Sequence, residues 1–242
     1  MFSVVIPTRN SEEALARTLA SLVPAAADGF VREVIVADAG STDGTAVVAD
    51  ATGCLFVAAP AARGEGLAAG ARAARRGDWL MFVEPGLVLE SGWHRDVAGL
   101  VERIGRAGAG RADRAIVFRH ARDALGPAAR LREAAVRGFA AVSGLPHRSQ
   151  GLMIARAHYD RIGGHRPLPV LEDVDIARRI GRFNIVSARS RALVVTETAI
   201  DAEGVVEKGR RAVSRLLAAL RVPPRLLVRL HGVPQAGRPT AE

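Results

Sequence analysis

Short β-branched runs alternate with segments of helical period from the start of the chain to about Val83. Phe2–Ile6 is an apolar run closed by Pro7 and predicts a first strand. Asn10 follows as an N-cap with Glu13 three residues on, a capping-box spacing. It predicts a helix over Glu12–Leu22, ended by Pro24. Glu33–Ala37 reads as a second strand that runs into Asp38 and a loop of Gly, Ser and Thr, with a helix beginning near Thr42 or Asp43. Cys54–Ala58 is a third strand, Gly64 opens a helix through Arg76, and Trp79–Val83 is a fourth strand. Strands separated by helices predict parallel pairing with right-handed crossovers. In such sheets ligands bind beyond the carboxyl ends of the strands. Pro7-Thr8-Arg9, Asp38–Thr45 and Glu84-Pro85-Gly86 all fall at those ends.

The second half is patterned less sharply. Ala115–Phe118, Gly151–Ala155, Ile185–Val186 and Leu193–Val195 predict strands. Pro127–Phe139 predicts an amphipathic helix, and Glu172–Ile180 a helix with acid at its start. His94, beside Trp93, is placed on a helix surface. Val205–Leu220 is a basic amphipathic helix, broken by Pro223-Pro224 and continued over Arg225–Leu230; from Gly232 onward the chain reads as a frayed tail. With no internal repeat and no linker, one α/β domain is expected, a mostly parallel central sheet flanked by helices.

Composition narrows the function. A chain of 242 residues, 49% hydrophobic and 24% charged, is globular and not disordered. Its net charge of +9 is almost all arginine, Lys208 being the one lysine. Arginine suits phosphate groups and anionic membrane surfaces. With aromatics at 4% and no recognisable module, nucleic acid is not expected as a partner. Cys54 has no second cysteine to pair with, and its apolar run marks a small core residue, not a nucleophile. No secretory signal and no apolar stretch long enough for a bilayer is legible. The expectation is a cytoplasmic protein, soluble or peripheral on the inner face of the membrane. The helix Arg210–Arg221, with Leu216, Leu217 and Leu220 interleaved, fits such a surface; packing on the core with arginines in water fits it as well.

The loop after the second strand carries the first chemistry. Asp38 at a strand end offers an acceptor for base or ribose groups. Gly40 and Gly44 let backbone come close, and the following helix N-terminus favours phosphate oxygens. A plain strand-to-helix turn with Asp43 as a cap satisfies the same residues.

Ser3-Val4-Val5-Ile6-Pro7-Thr8-Arg9-Asn10, together with Val36-Ala37-Asp38-Ala39-Gly40-Ser41-Thr42-Asp43-Gly44-Thr45, resembles the opening of the family 2 glycosyltransferases. Arg63-Gly64, Ser149-Gln150-Gly151 running to Arg156 with Ile162-Gly163-Gly164, and Leu171-Glu172-Asp173-Val174-Asp175 are similar to further family segments, in the family's order. The likeness spans about residues 2 to 195, and within the family it is nearest a small bacterial branch. It implies the GT-A fold and transfer of a sugar, with inversion, from a nucleotide-diphosphate sugar to a hydroxyl acceptor, lipid-linked or small and polar. It implies a nucleotide-binding half (1–90), an acceptor half (91–200) and basic C-terminal helices (204–231), with 232–242 a flexible tail. Pro7, Thr8, Asn10, Asp38, Gly40, Ser41, Asp43, Arg63 and Gly64 would bind the donor. Gln150, Gly151 and Glu172 would lie on the acceptor side. Asp173 would be the general base, its pKa raised by Glu172 and Asp175 and lowered by Arg178 and Arg179.

The chain departs from the family at the metal motif. The Asp-x-Asp that holds a divalent cation is Glu84-Pro85-Gly86 here. Glu84 stands for the first acid, and Gly86 has no side chain for the second. Ser149 also stands where an acid precedes Gln150 in that branch. Three outcomes follow: Mg²⁺ or Mn²⁺ held weakly through Glu84; arginines such as Arg63, or Arg148 if near, neutralising the diphosphate; or a binding protein without activity, acting as a partner or regulator. His147, His158 and His165 lack metal-ligand spacing and read as structural. Gly64-Glu65-Gly66 is not a dinucleotide fingerprint, since it follows the third strand and its third glycine is misplaced.

Overall fold

Phe2–Thr8 (β1) lies inside an eight-stranded sheet because both its faces are apolar: Phe2, Val4 and Ile6 face one side and Val5 the other, all fully buried. The computed structural model describes residues 1–106, 113–122, 148–168 and 170–194. The segments Pro127–Phe139, Val205–Leu220 and Arg225–Leu230, His147 and the tail after Gly232 lie outside the described residues. The other strands are β2 (Val31–Asp38), β3 (Leu55–Ala58), β4 (Trp79–Phe82), β5 (Leu87–Leu89), β6 (Ala115–Arg122), β7 (Leu152–Ala155) and β8 (Ile185–Val194). Their order is β3-β2-β1-β4-β7-β6-β8-β5. The first four pair in parallel, as expected from the alternation; β7 is antiparallel to β4 and β6, and β5 to β8.

Helices α1 (Glu12–Ala27) and α4 (Trp93–Arg106) cover the Phe2-Val4-Ile6 face through Leu15, Leu19, Leu22, Trp93 and Val97. Helices α3 (Arg63–Ala73) and α6 (Glu172–Ile180) cover the Val5 face through Leu67, Ala71, Ile176 and Ile180. Two further short helices lie among the described residues, α2 (Thr45–Ala51) and α5 (Arg156–Arg161). Packing the sheet on both faces brings the carboxyl ends of β1, β2 and β4 together. Thr8 stands opposite Asp38, and the Val83 amide donates to the Val5 carbonyl.

Several local expectations are corrected. Pro7 does not end β1. The Thr8 carbonyl faces β2, where it accepts from Ala39, so the imide nitrogen of Pro7 faces β4, whose pairing has stopped at Val5. Pro24 lies inside α1, because it and Ala20 are exposed and water can satisfy the freed carbonyl, while buried Ala25 holds the last turn. Helix α3 ends at Ala73 and not Arg76, since the Glu33 carboxylate takes the amides of Arg75 and Arg76 at 2.6 and 2.5 Å. The two short strands expected near 185 and 193 are one strand. Its middle buries only Ala188 and Ala192, too small to mark a strand by hydrophobicity. His94 is not on a surface: its ring is buried and its Nε2 lies 2.9 Å from Asp28. Cys54 packs at the core margin, where burial pushes its thiol up and makes it a poorer nucleophile.

Candidate active site

The loop from Asp38 to Thr45 is built by carboxylates that reach backbone amides. Asp38 is buried and accepts four hydrogen bonds: Oδ2 from the amides of Gly40 and Ser41 (3.0 and 2.7 Å), Oδ1 from the hydroxyls of Thr8 and Ser41 (2.8 and 2.5 Å). That fills all the lone-pair positions of a carboxylate. Burial by itself would raise the Asp38 carboxyl; the bonds from Ser41, Thr8 and Gly40 outweigh it and hold the group below its ordinary value. Its stabilising contribution is therefore present above the ordinary aspartate range and is lost as the pH falls through the lowered folded value.

Asn10 and Asp43 serve the same loop. Asn10 is not the N-cap of α1; Ser11 is. Asn10 turns into the left-handed region (φ 47°), donates its amide to Ser41 Oγ and accepts the Thr42 amide on Oδ1, each at 2.8 Å. Asp43 Oδ2 accepts the Glu12 amide (3.1 Å) and Oδ1 the Thr45 amide (3.1 Å), while Glu12 Oε2 accepts the Gly44 amide (3.0 Å). The first turns of α1 and α2 thus cap each other across the loop, and Glu13 pairs instead with Arg17.

A cleft of about 490 Å³, its open mouth included, lies beside this loop. Pro7, Arg63, Glu84, Gly151, Glu172 and Asp173, all expected in the site, line it, and Arg148 joins them. Arg63 ties it together: Nε bonds Glu172 Oε1 at 2.6 Å, and Nη2 bonds Glu84 Oε1. Burial lowers the Arg63 guanidinium and Glu172 opposes that; the group stays charged. Glu172 is only 4% exposed; burial pushes its carboxyl up, Arg63 pulls it down, and adjacent Asp173 pushes it up again. The net direction is upward. Asp173 is half-buried and accepts its neighbour's amide, from Val174, at 2.9 Å. Leu171, just before this acidic turn, has a φ of 62°, a strained value for a leucine that sets the direction in which Glu172 and Asp173 leave the chain. Asp175 is buried against Arg179 (2.5 Å) and Arg166 (3.2 Å). The Arg148 side chain makes no hydrogen bond or ion pair among the described residues, and it lines the cleft, where an anion can meet it.

The remaining expected residues sit outside the cleft lining. Gln150 donates its side-chain amide to the Phe118 carbonyl at 3.0 Å. Gly64 is buried, its amide bonded to the Leu168 carbonyl at 3.0 Å. A Cβ there would collide with the Arg166 carbonyl and lie 2.9 Å from that of Leu168. Gly64→Ala is therefore expected to push away the segment leading into α6, costing about 1–3 kcal/mol; a thermal melt with a tryptophan signal measures it. Sequence reasoning missed the apolar wall of the cleft, Leu67, Phe82, Leu152, Ile176 and Ala177, which no motif marks; His165, read as structural, also lines the cleft.

Among the described residues the groups around Glu84 and Gly86 do not make a cation cage. Glu84 is engaged by Arg63, and the Gly86 amide is turned onto α1, where it donates to the Ala14 carbonyl (3.0 Å) and Thr18 Oγ1 (2.9 Å). Among the described residues no three His, Cys, Asp or Glu side chains converge on one point. Hard divalent cations take six or more oxygens.

A cleft at the carboxyl ends of a β3-β2-β1-β4 sheet, closed by antiparallel β7, is the GT-A architecture of nucleotide-sugar transferases. The chain belongs to glycosyl transferase family 2, whose profile matches residues 3–154. Among solved structures it is similar to glucosyl-3-phosphoglycerate synthase from Mycobacterium tuberculosis. The complex of that enzyme with Mn²⁺, UDP and glucosyl-3-phosphoglycerate is 23% identical at a TM-score of 0.60, covering 92% of this chain and 81% of that one. The complex with Mn²⁺, UDP-glucose and phosphoglyceric acid is 24% identical at 0.59, covering 92% and 80%. A mycobacterial protein is 25% identical at 0.60, covering 92% and 76%. No curated protein gives a significant match. No helix among the described residues is long and apolar enough to cross a membrane.

Proposed function

We propose that the cleft moves a sugar from a nucleotide-diphosphate sugar to a hydroxyl acceptor in one inverting displacement, with Asp173 as base and arginines in place of most of the metal's work. The acceptor oxygen forms a bond to the anomeric carbon, its proton passes to Asp173, and the electron pair of the breaking bond leaves on the diphosphate. The observation that carries this reading is the charge arrangement of the cleft. A carboxylate on the first turn of α6 shares it with Arg148, which has no ion-pair partner among the described residues, and with Arg63, which holds two acids. A guanidinium aimed at a leaving diphosphate stabilises the charge that develops there. The similar solved structures hold UDP-glucose and phosphoglyceric acid; a UDP-sugar and a small anionic hydroxy acid are therefore the first donor and acceptor to try. A lipid-linked acceptor, peripheral membrane contact through the basic C-terminal segment and a domain running to residue 231 belong to the same reading.

The test is calorimetry with a panel of nucleotide-sugars, with Mn²⁺, with Mg²⁺ and with chelator, followed by donor hydrolysis. Binding that persists in chelator is expected, and undetectable binding of every nucleotide would sink the reading. A second reading, a nucleotide-binding partner or regulator without turnover, is favoured by Gly86 and by the engagement of Glu84 with Arg63; binding without hydrolysis or transfer to any acceptor supports it.

The loop gives a further prediction. Asp38→Ala removes the four bonds that Asp38 accepts and is expected to weaken nucleotide binding more than Asp43→Ala. Asp43→Ala strips caps from α1 and α2 and is expected to cost about 1–2 kcal/mol of stability, with a smaller change in affinity. Calorimetry and denaturant unfolding separate the two, and the reverse order of affinities would assign the ribose end to the wrong residue.

A further inference from the structure

His165 is a buried ring at the cleft wall that the transfer step above does not use. It is 8% exposed and packs edge-on to Phe82, with ring centroids 4.6 Å apart. Two contacts tie it to Tyr159: its backbone amide donates to the Tyr159 hydroxyl at 3.0 Å, and its Nδ1 lies 3.0 Å from the same oxygen. Glycine makes this possible. Gly164 has a φ of +57°, and a Cβ there would lie 2.8 Å from the Tyr159 ring.

The Tyr159 hydroxyl decides which nitrogen of His165 carries the proton. Tyr159 is buried, and burial pushes its pKa up to about 12, so it keeps its proton. The oxygen already accepts the His165 amide. Among the described residues the hydroxyl proton meets no acceptor other than Nδ1. The opposite arrangement leaves a buried O–H unsatisfied, which costs about 1–3 kcal/mol. Nδ1 is therefore the acceptor and Nε2 bears the ring's proton. Burial, then Arg179 and Arg63, push the ring down to about 3, so it is neutral at physiological pH. Among the described residues Nε2 has no hydrogen-bond partner. It is also absent from the buried unpartnered polar atoms, which among the described residues are His94 Nδ1, Arg156 Nη2 and His158 Nδ1. It is therefore not fully enclosed, and His165 is one of the residues that line the cleft.

We propose that His165 donates its Nε2–H to a hydroxyl of the sugar being transferred, and so helps to set which donor the cleft accepts. This rests on the transferase reading of the cleft. Arg63 and Asp173 both act electrostatically on the ring. The diphosphate belongs with the arginines, and the anomeric carbon lies where Asp173 meets the acceptor. The group between them is the sugar, whose uncharged oxygens match a neutral donor.

The test compares UDP-glucose, UDP-galactose, GDP-mannose and dTDP-glucose, each against its own nucleoside diphosphate, by calorimetry on the wild type and three variants. For the donor that binds best, His165→Phe is expected to lose about tenfold in affinity, with the nucleoside diphosphate unaffected. His165→Gln, which places an amide N–H near the Nε2 position, restores most of that loss. His165→Asn reaches only the Nδ1 position and does not, while keeping a partner for Tyr159 and with it the fold. Equal losses for sugar and nucleoside diphosphate, full affinity in His165→Phe, or a wild type in which the sugar adds no affinity overturns the proposal. A wild type that binds no nucleotide overturns the transferase reading itself.

Discussion

Asp173→Asn is expected to keep the fold and the donor affinity while kcat falls by about a hundred- to ten-thousand-fold, the range for losing a general base. Asparagine retains an oxygen for the Val174 amide that Asp173 now accepts, so the first turn of α6 survives the change. It has no basic oxygen to take the acceptor's proton as the new bond forms. The effect should fall on kcat and leave KM for the donor nearly unchanged, because the lost interaction exists only in the transition state. Steady-state transfer and donor hydrolysis both read it, with affinity checked separately by calorimetry. Hydrolysis at the wild-type rate would remove Asp173 as the base, at least toward water.

Arg63→Ala is expected to cost about 3–5 kcal/mol of stability at neutral pH, the usual result of removing one partner from a buried ion pair. Glu172, 4% exposed, would lose the cation that Nε supplies, and Glu84 would lose its partner as well. The loss has a definite pH dependence. The Glu172 carboxyl is already shifted upward, and without Arg63 it rises further. An acid that binds its proton more tightly folded than unfolded is less destabilising as pH falls, so the deficit should shrink toward acid pH. Adding Glu172→Gln to Arg63→Ala should recover much of the stability without recovering turnover, because the cleft still lacks the guanidinium for the diphosphate. Arg63→Lys should fall between, since a single ammonium cannot serve two carboxylates as a fork does. Denaturant unfolding across pH measures all three.

The fold was legible where hydrophobic patterns are local and strong. The first four strands, their parallel pairing and the span of α6 follow from periodicity alone, because each depends on contacts within a few residues or one turn. The misreadings have a common cause. Asn10 and Glu13 match a capping box, yet the groups that cap α1 are Asp43 and Thr45, more than thirty residues away. Arg75 and Arg76 fit a helix, yet Glu33 draws their amides off. Local rules describe the best arrangement of an isolated segment, and a carboxylate or hydroxyl from another element can displace it.

Residue order alone determined the family, which loops fall at the carboxyl ends of the strands, and the candidate acids and arginines, because these depend on residue types at fixed spacing. It also determined that Gly86 brings no acid to the metal motif, a fact of composition that no folding can alter. The tertiary structure decided how those residues divide. Pro7, Arg63, Glu84, Gly151, Glu172 and Asp173 share one cleft, while Thr8, Asn10, Asp38, Ser41 and Asp43 build the loop beside it. It decided that Arg63 bridges Glu84 and Glu172, and that a glycine turn beside Tyr159 sets His165 in the cleft lining. The physical reason is distance along the chain. Arg63 and Glu172 are 109 positions apart and meet only because α3 and α6 pack on the same face of the sheet.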